Sequence, residues 1–152
     1  MKLSAALVGI QRLCIETAPF IYFVERHPTY VDRMRAVFEV LDEGRFEGIT
    51  STVTLTEVLI KPIQAGDKTL EQAYRELLLS TRHIQVVALS IVIAEKAAVL
   101  RAGYNLRTPD AVQLATGIIS GCQGFLTNDR KLLRVTEIPV LMLDDLELEP
   151  NP

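Results

Sequence analysis

A chain of 152 residues that is 49% hydrophobic has apolar material for one real core and too little length for two ordinary domains, so a single domain over 1–152, with its core at about 12–146, is expected. The composition excludes a disulfide scaffold, because the only cysteines, Cys14 and Cys122, lie in apolar surroundings without the paired spacing of a zinc or redox motif. The apolar stretch Leu3 to Ile10 is too short for the roughly 18 residues that span a bilayer, which points to a cytoplasmic protein with no membrane partner.

The formal charge of −3 leaves nucleic acid open as a partner. Four acids and no base fall in the tail from Asp144 onward, while Arg101 to Arg134 carries five bases against two acids, a local positive field beside an acidic site.

In chain order, Gln11 to Ile15 reads as extended. Thr17 with Pro19 opens a helix predicted over Ala18 to Glu25, apolar nearly all round, as suits burial against a sheet. Glu16 stands at that junction, and His27 and Pro28 end the helix. Val31, Met34, Val37, Phe38 and Leu41 at helical spacing predict a second helix from Tyr30 to Asp42, stopped by Gly44. Phe46 to Ser51 reads as a strand, and Thr54 to Ile60 as a short helix ended by Pro62. Thr69 to Gln72 matches a capping box, opening a helix to about Ser80 whose stripe of Leu70, Ala73, Tyr74, Leu77 and Leu78 suits core or subunit interface.

His83 to Ala88 is the next strand. Ser90 caps a helix to Arg101 that Gly103 closes, and Thr108 caps another, with Pro109 in its first position and Gly121 at its end. Phe125 to Thr127 and Pro139 to Leu143 are the last strands. Strands alternating with helices of about 10 to 15 residues predict an α/β fold, a mostly parallel central sheet of about five short strands covered on both faces.

Four acids stand out against this frame. Asp110 lies in the first turn of its helix, where the dipole favours a carboxylate by roughly 0.3 to 1 kcal/mol. Glu57 closes a capping box with Thr54, and Asp129 can cap the turn running to Arg134. Glu16, a poor cap beside the better Thr17, has no such structural account. In a parallel sheet all four positions share the rim where ligands bind. Clustered carboxylates repel unless a cation neutralises them. Oxygen donors without His or Cys favour Mg²⁺ or Mn²⁺, which suits metal-assisted phosphodiester hydrolysis. A phosphoacceptor receiver domain also uses clustered acids, but it would need a Lys at a late strand end, where Thr127 and Leu143 stand.

The stretches IETAPFIYFVE (Ile15 to Glu25), STVTLTEVL (Ser51 to Leu59), LRTPDAVQLATG (Leu106 to Gly117) and FLTNDRKL (Phe125 to Leu132) resemble, in content and order, those of the PIN domain family, in particular its VapC-type toxin ribonucleases. The resemblance covers about Arg12 to Leu146. It implies an α/β/α sandwich and a metal-dependent endoribonuclease that hydrolyses RNA phosphodiester bonds as the toxin of a toxin-antitoxin system. It also implies Mg²⁺ or Mn²⁺ as cofactor, a small cognate antitoxin as partner, and a homodimer. Carried across residue by residue, the catalytic and metal-binding acids are Glu16, Glu57, Asp110 and Asp129, with Thr17, Thr127 and Asn128 as polar supports. Arg107, Arg130 and Lys131 are the candidates for holding RNA. The first acid is normally Asp in this family and is Glu16 here. That departure leaves a second reading open, a non-catalytic binding module for RNA or a partner with a weakened metal site.

Overall fold

Leu13, Cys14 and Ile15 alternate between the two faces of a strand. In the computed structural model, which describes residues 1–151, Leu13 and Ile15 enter one hydrophobic core and Cys14 another. The chain runs through α1 (Leu3–Ala6), β1 (Arg12–Ile15), α2 (Thr17–Val24), α3 (Val31–Asp42), β2 (Glu47–Ser51), α4 (Thr52–Ala65), α5 (Lys68–Ser80) and β3 (Ile84–Val87). It continues with α6 (Ile91–Tyr104), α7 (Thr108–Ile119), β4 (Gly124–Thr127), a 3-10 turn (Arg130–Arg134), β5 (Val140–Met142) and a last 3-10 turn (Leu143–Asp145).

The five strands form one parallel sheet in the order β3-β2-β1-β4-β5. Side chains of α2, α3, α4 and α5 build the core on one face, and those of α6 and α7 build it on the other. The chain thus moves outward from β1 to β3 under one helical layer, crosses the opposite face, and re-enters on the other side of β1. Beyond the carboxyl ends of β1 and β4 this reversal leaves a crevice, the usual ligand position in such sheets.

The α/β class, the five strands and their parallel sense match the expectation, while several helix boundaries do not. Ser51, whose Oγ accepts from the Val53 N–H at 2.8 Å, starts α4. Thr54 therefore lies inside the helix, fully buried, and the capping-box account of Glu57 fails. Pro62 does not end α4; its ring is buried within a helix that runs on to Gly66, at φ +65°. Burial against neighbouring elements outweighs the N–H lost at the proline.

Asp67, not Thr69, caps α5, accepting from the Leu70 N–H at 3.0 Å. α6 passes Gly103 and ends at Asn105, which takes the left-handed conformation at φ +53°. Thr108 is already helical, and its hydroxyl accepts from Arg101 at 2.6 Å rather than capping α7. Thr17 is likewise the first residue of α2, and the cap position falls to Glu16, whose side chain makes no capping bond.

Two features were not announced by the sequence. The short α1 lies beside the chain's end, where Lys2 pairs with Glu147 at 3.2 Å and the Ser4 hydroxyl donates to Glu149 at 2.6 Å. The acidic tail is thereby tied down. Of the two free cysteines, Cys14 is buried and Cys122 is half-buried.

Candidate active site at the carboxyl ends of β1 and β4

Each acid reaches the crevice on its own element. Glu16 follows β1 directly, and its N–H bonds the Leu126 carbonyl of β4 at 3.1 Å. Asp129 stands two residues beyond β4, Glu57 sits in the second turn of α4, and Asp110 in the first turn of α7. The close seating of α7 on β1 fixes the last of these, because Gly117 packs where an added Cβ would come within 2.9 Å of the Cys14 Cβ. Together the four line one cleft of about 420 Å³, walled by Ile21 and Tyr22 of α2 and shared with Thr17, Arg107, Gln113 and Asn128.

The supports have definite partners. The Thr127 hydroxyl donates to Glu16 Oε2 and accepts from the Asp129 N–H, so one buried side chain links two of the acids. Asp129 also caps the 3-10 turn, accepting from the Lys131 N–H at 3.0 Å. The Asn128 Oδ1 accepts from the Asp144 N–H at 2.9 Å, fixing that loop against the end of the sheet. Arg107 donates to both oxygens of Asp110, at 3.0 and 3.3 Å.

The expected cations divide between two places. Arg107 and Lys131 line a second cleft of about 400 Å³ with Asn105, Leu106, Leu132 and Arg134, and this cleft shares Asp110 and Asp129 with the first. Arg130 lines neither, because its guanidinium is held by Asp145 at 2.5 Å. Arg134 was not singled out from sequence, where a base ending a short turn is like any other solvated one. Gln113 was also missed. Its signal was a polar residue three positions after Asp110 within an otherwise apolar run.

Electrostatics report the crowding of the acids. Burial pushes Glu16 up to about 7; the Thr127 hydroxyl opposes the rise, and Asp110, Asp129 and Glu57 add to it. Burial also lifts Glu57 above the ordinary carboxylate range, against the Thr17 hydroxyl, with Asp110 raising it further and Arg107 lowering it. Four convergent carboxylates with no His or Cys are the donor set of a hard divalent cation. Among the described residues no three His, Cys, Asp or Glu groups are already gathered into a cage. That is compatible with Mg²⁺, which is commonly held by one or two carboxylates and keeps several waters. The donor chemistry of the cleft, carboxylate oxygens with no His or Cys, fits such an ion.

Among the described residues no helix is long and apolar enough to cross a membrane. A family model described as "PIN domain" matches residues 13–138. Among solved structures, the chain is similar to VapBC2 from Rickettsia felis bound to a promoter DNA fragment, at 16% identity and TM-score 0.71, covering 87% of this chain and 98% of that one. It is similar also to a toxin-antitoxin complex from Klebsiella pneumoniae, at 21% identity and TM-score 0.67, with 86% and 97% covered. A third is the sarcin-ricin-loop-cleaving toxin VapC20 from Mycobacterium tuberculosis, at 12% identity and TM-score 0.64, with 84% and 98% covered. At these identities the likeness is one of fold. Among curated proteins there is no significant match.

Proposed function

The chain belongs to the PIN domain family, and on that premise we propose that it is a metal-dependent endoribonuclease of the VapC type, the toxin of a toxin-antitoxin pair. The observation that carries the reading is the convergence of Glu16, Glu57, Asp110 and Asp129, from four separate elements, on one cleft. Carboxylates from among these four would hold Mg²⁺ or Mn²⁺. When bound, such an ion polarises a phosphate and draws a nucleophile from water.

The chain's own residues supply position and charge. Thr127 holds the Glu16 carboxylate, and Thr17 bonds Glu57 at 3.4 Å. Arg107, Lys131 and Arg134, in the adjoining cleft, would hold phosphates of the RNA backbone. The likeness in fold to toxin-antitoxin complexes supports a small antitoxin as partner. A homodimer is part of the same reading, and a monomer by light scattering at micromolar concentration would remove it.

The test is cleavage of RNA with Mg²⁺ or Mn²⁺ present. Cleavage is expected to stop on chelation and to fall by roughly 100-fold or more in Asp110→Asn. Activity indifferent to both would overturn the reading.

A second reading, a non-catalytic RNA- or partner-binding module, is favoured by one specific feature: Arg107 already neutralises Asp110 while the longer Glu16 replaces the usual Asp. Calorimetry with Mn²⁺ on the native chain and Glu16→Asp separates the two. Equally tight binding in both removes the motive for the second reading.

A further inference from the structure

Beneath the cleft lies a set of buried polar side chains that the acids do not account for. Thr50 and Thr54 are fully buried, Gln113 is 1% exposed and Thr17 is 7% exposed. They come from β2, α4, α7 and α2. The Gln113 Nε2 donates to Thr54 Oγ1 at 2.7 Å and to Thr17 Oγ1 at 3.1 Å, while its Oε1 has no partner.

Counting protons gives the network a direction. Thr50 has one hydroxyl proton, which is shared between the Ile15 carbonyl at 2.8 Å and Thr54 Oγ1 at 2.8 Å. The Glu57 carboxylate can only accept, so its contact with Thr17 Oγ1 at 3.4 Å takes the Thr17 proton. The Thr17–Thr54 contact at 3.1 Å then falls to the Thr54 proton, and Thr54 Oγ1 accepts from Thr50 and from Gln113. Thr17 in turn accepts from both Gln113 and Thr54. The Thr54 and Thr17 protons thus run toward the Glu57 carboxylate, while the Thr50 proton is shared with the Ile15 carbonyl.

The amide orientation follows from the same count. Turned over, Gln113 would draw the protons of both threonines onto its oxygen, leave two N–H groups buried without acceptors, and leave Glu57 without a donor. A buried carbonyl without a partner is the lesser cost, about 1 to 3 kcal/mol.

We infer that Gln113 is a positioning residue: through Thr17 and Thr54 it sets the proton direction that orients Glu57 as a cation ligand. The inference rests on the reading of the cleft as a cation site and adds a residue to it. An unpartnered buried oxygen is the cost of an arrangement that an apolar side chain would avoid. Outer-shell partners of this kind are commonly worth about 10-fold or more in metal affinity.

Two measurements test it, the first without metal. In the metal-free chain the Gln113 side-chain NH₂ pair should be protected from solvent exchange and show NOEs to the Thr17 and Thr54 methyl groups. A freely exchanging pair overturns the inference and leaves the cation site untouched. Calorimetry with Mn²⁺ is the second. Gln113→Met and Thr17→Val should each weaken binding by about 10-fold, Thr17→Ser should restore it, and the double variant should bind no worse than Thr17→Val alone. Native-like affinity in Gln113→Met, or additive losses in the double variant, overturns the inference. No Mn²⁺ binding by the native chain would instead remove the cation reading beneath it, and the inference with that.

Discussion

Glu16 combines a half-buried carboxyl, a hydroxyl donor and three acidic neighbours, and its protonation is coupled to folding. Its folded-state pKa of about 7 stands above its unfolded value of 4.5, so between those pH values the native state binds more protons than the unfolded state. Stability therefore falls as pH rises from about 4.5 to 7 and is flat with respect to this group above that. The span corresponds to about 3 kcal/mol as an order of magnitude. Urea titrations of the metal-free chain at pH 5 and pH 7.5 should show this loss, and Glu16→Gln should largely remove it. A native chain equally stable at both pH values would mean that Glu16 is not desolvated as described. Glu57, also raised, contributes in the same sense.

At the scale of elements, the site depends on how helices are started and seated. Asp67 makes the capping bond of α5 and Thr69 makes none. Asp67→Ala should thus cost about 1 kcal/mol in urea denaturation and Thr69→Ala only a few tenths. The seating of α7 is more consequential. Alanine at Gly117 would gain up to about 1 kcal/mol of helix propensity, but its Cβ meets the Cys14 Cβ at 2.9 Å and the Ile138 Cδ1 at 3.2 Å. The overpacking, about 1 to 3 kcal/mol, should prevail, so Gly117→Ala is expected to be less stable. Because α7 carries Asp110 and β1 leads into Glu16, the same variant should bind Mn²⁺ more weakly. Calorimetry on the folded variant checks this.

Across the whole molecule, charge is distributed so that a net value of −3 conceals a basic cleft. The acidic tail lies along α1 and on Arg130, away from Arg107, Lys131 and Arg134. Binding of RNA to an Asp110→Asn chain should weaken with salt. Lys131→Ala or Arg134→Ala should each reduce the slope of log affinity against log salt by about 0.7, the value for one single-strand phosphate contact. Arg130→Ala should leave the slope unchanged. An effect of Arg130 equal to that of Arg134 would show that the tail releases its partner when RNA binds.

Periodicity and turn residues were enough to determine the α/β class and the number and parallel sense of the strands, and, with the family resemblance, to single out four acids that line one cleft. These are local properties: an apolar run, a helix-opening Pro and a Gly or Asn stop act within a few residues. The cap of α4 was misplaced because Ser51 and Thr54 are equally good local candidates, and only the direction in which β2 delivers the chain chooses between them. Pro62 misled for the same reason, since burial supplied what local propensity withheld. Arg130 and Arg134 are alike in sequence, and the fold alone gives one to the tail and the other to the cleft. Gln113 depends most on tertiary structure. Its role lies in hydrogen bonds to residues 96 and 59 positions away, and no spacing rule reaches across elements that only the packed sheet brings together.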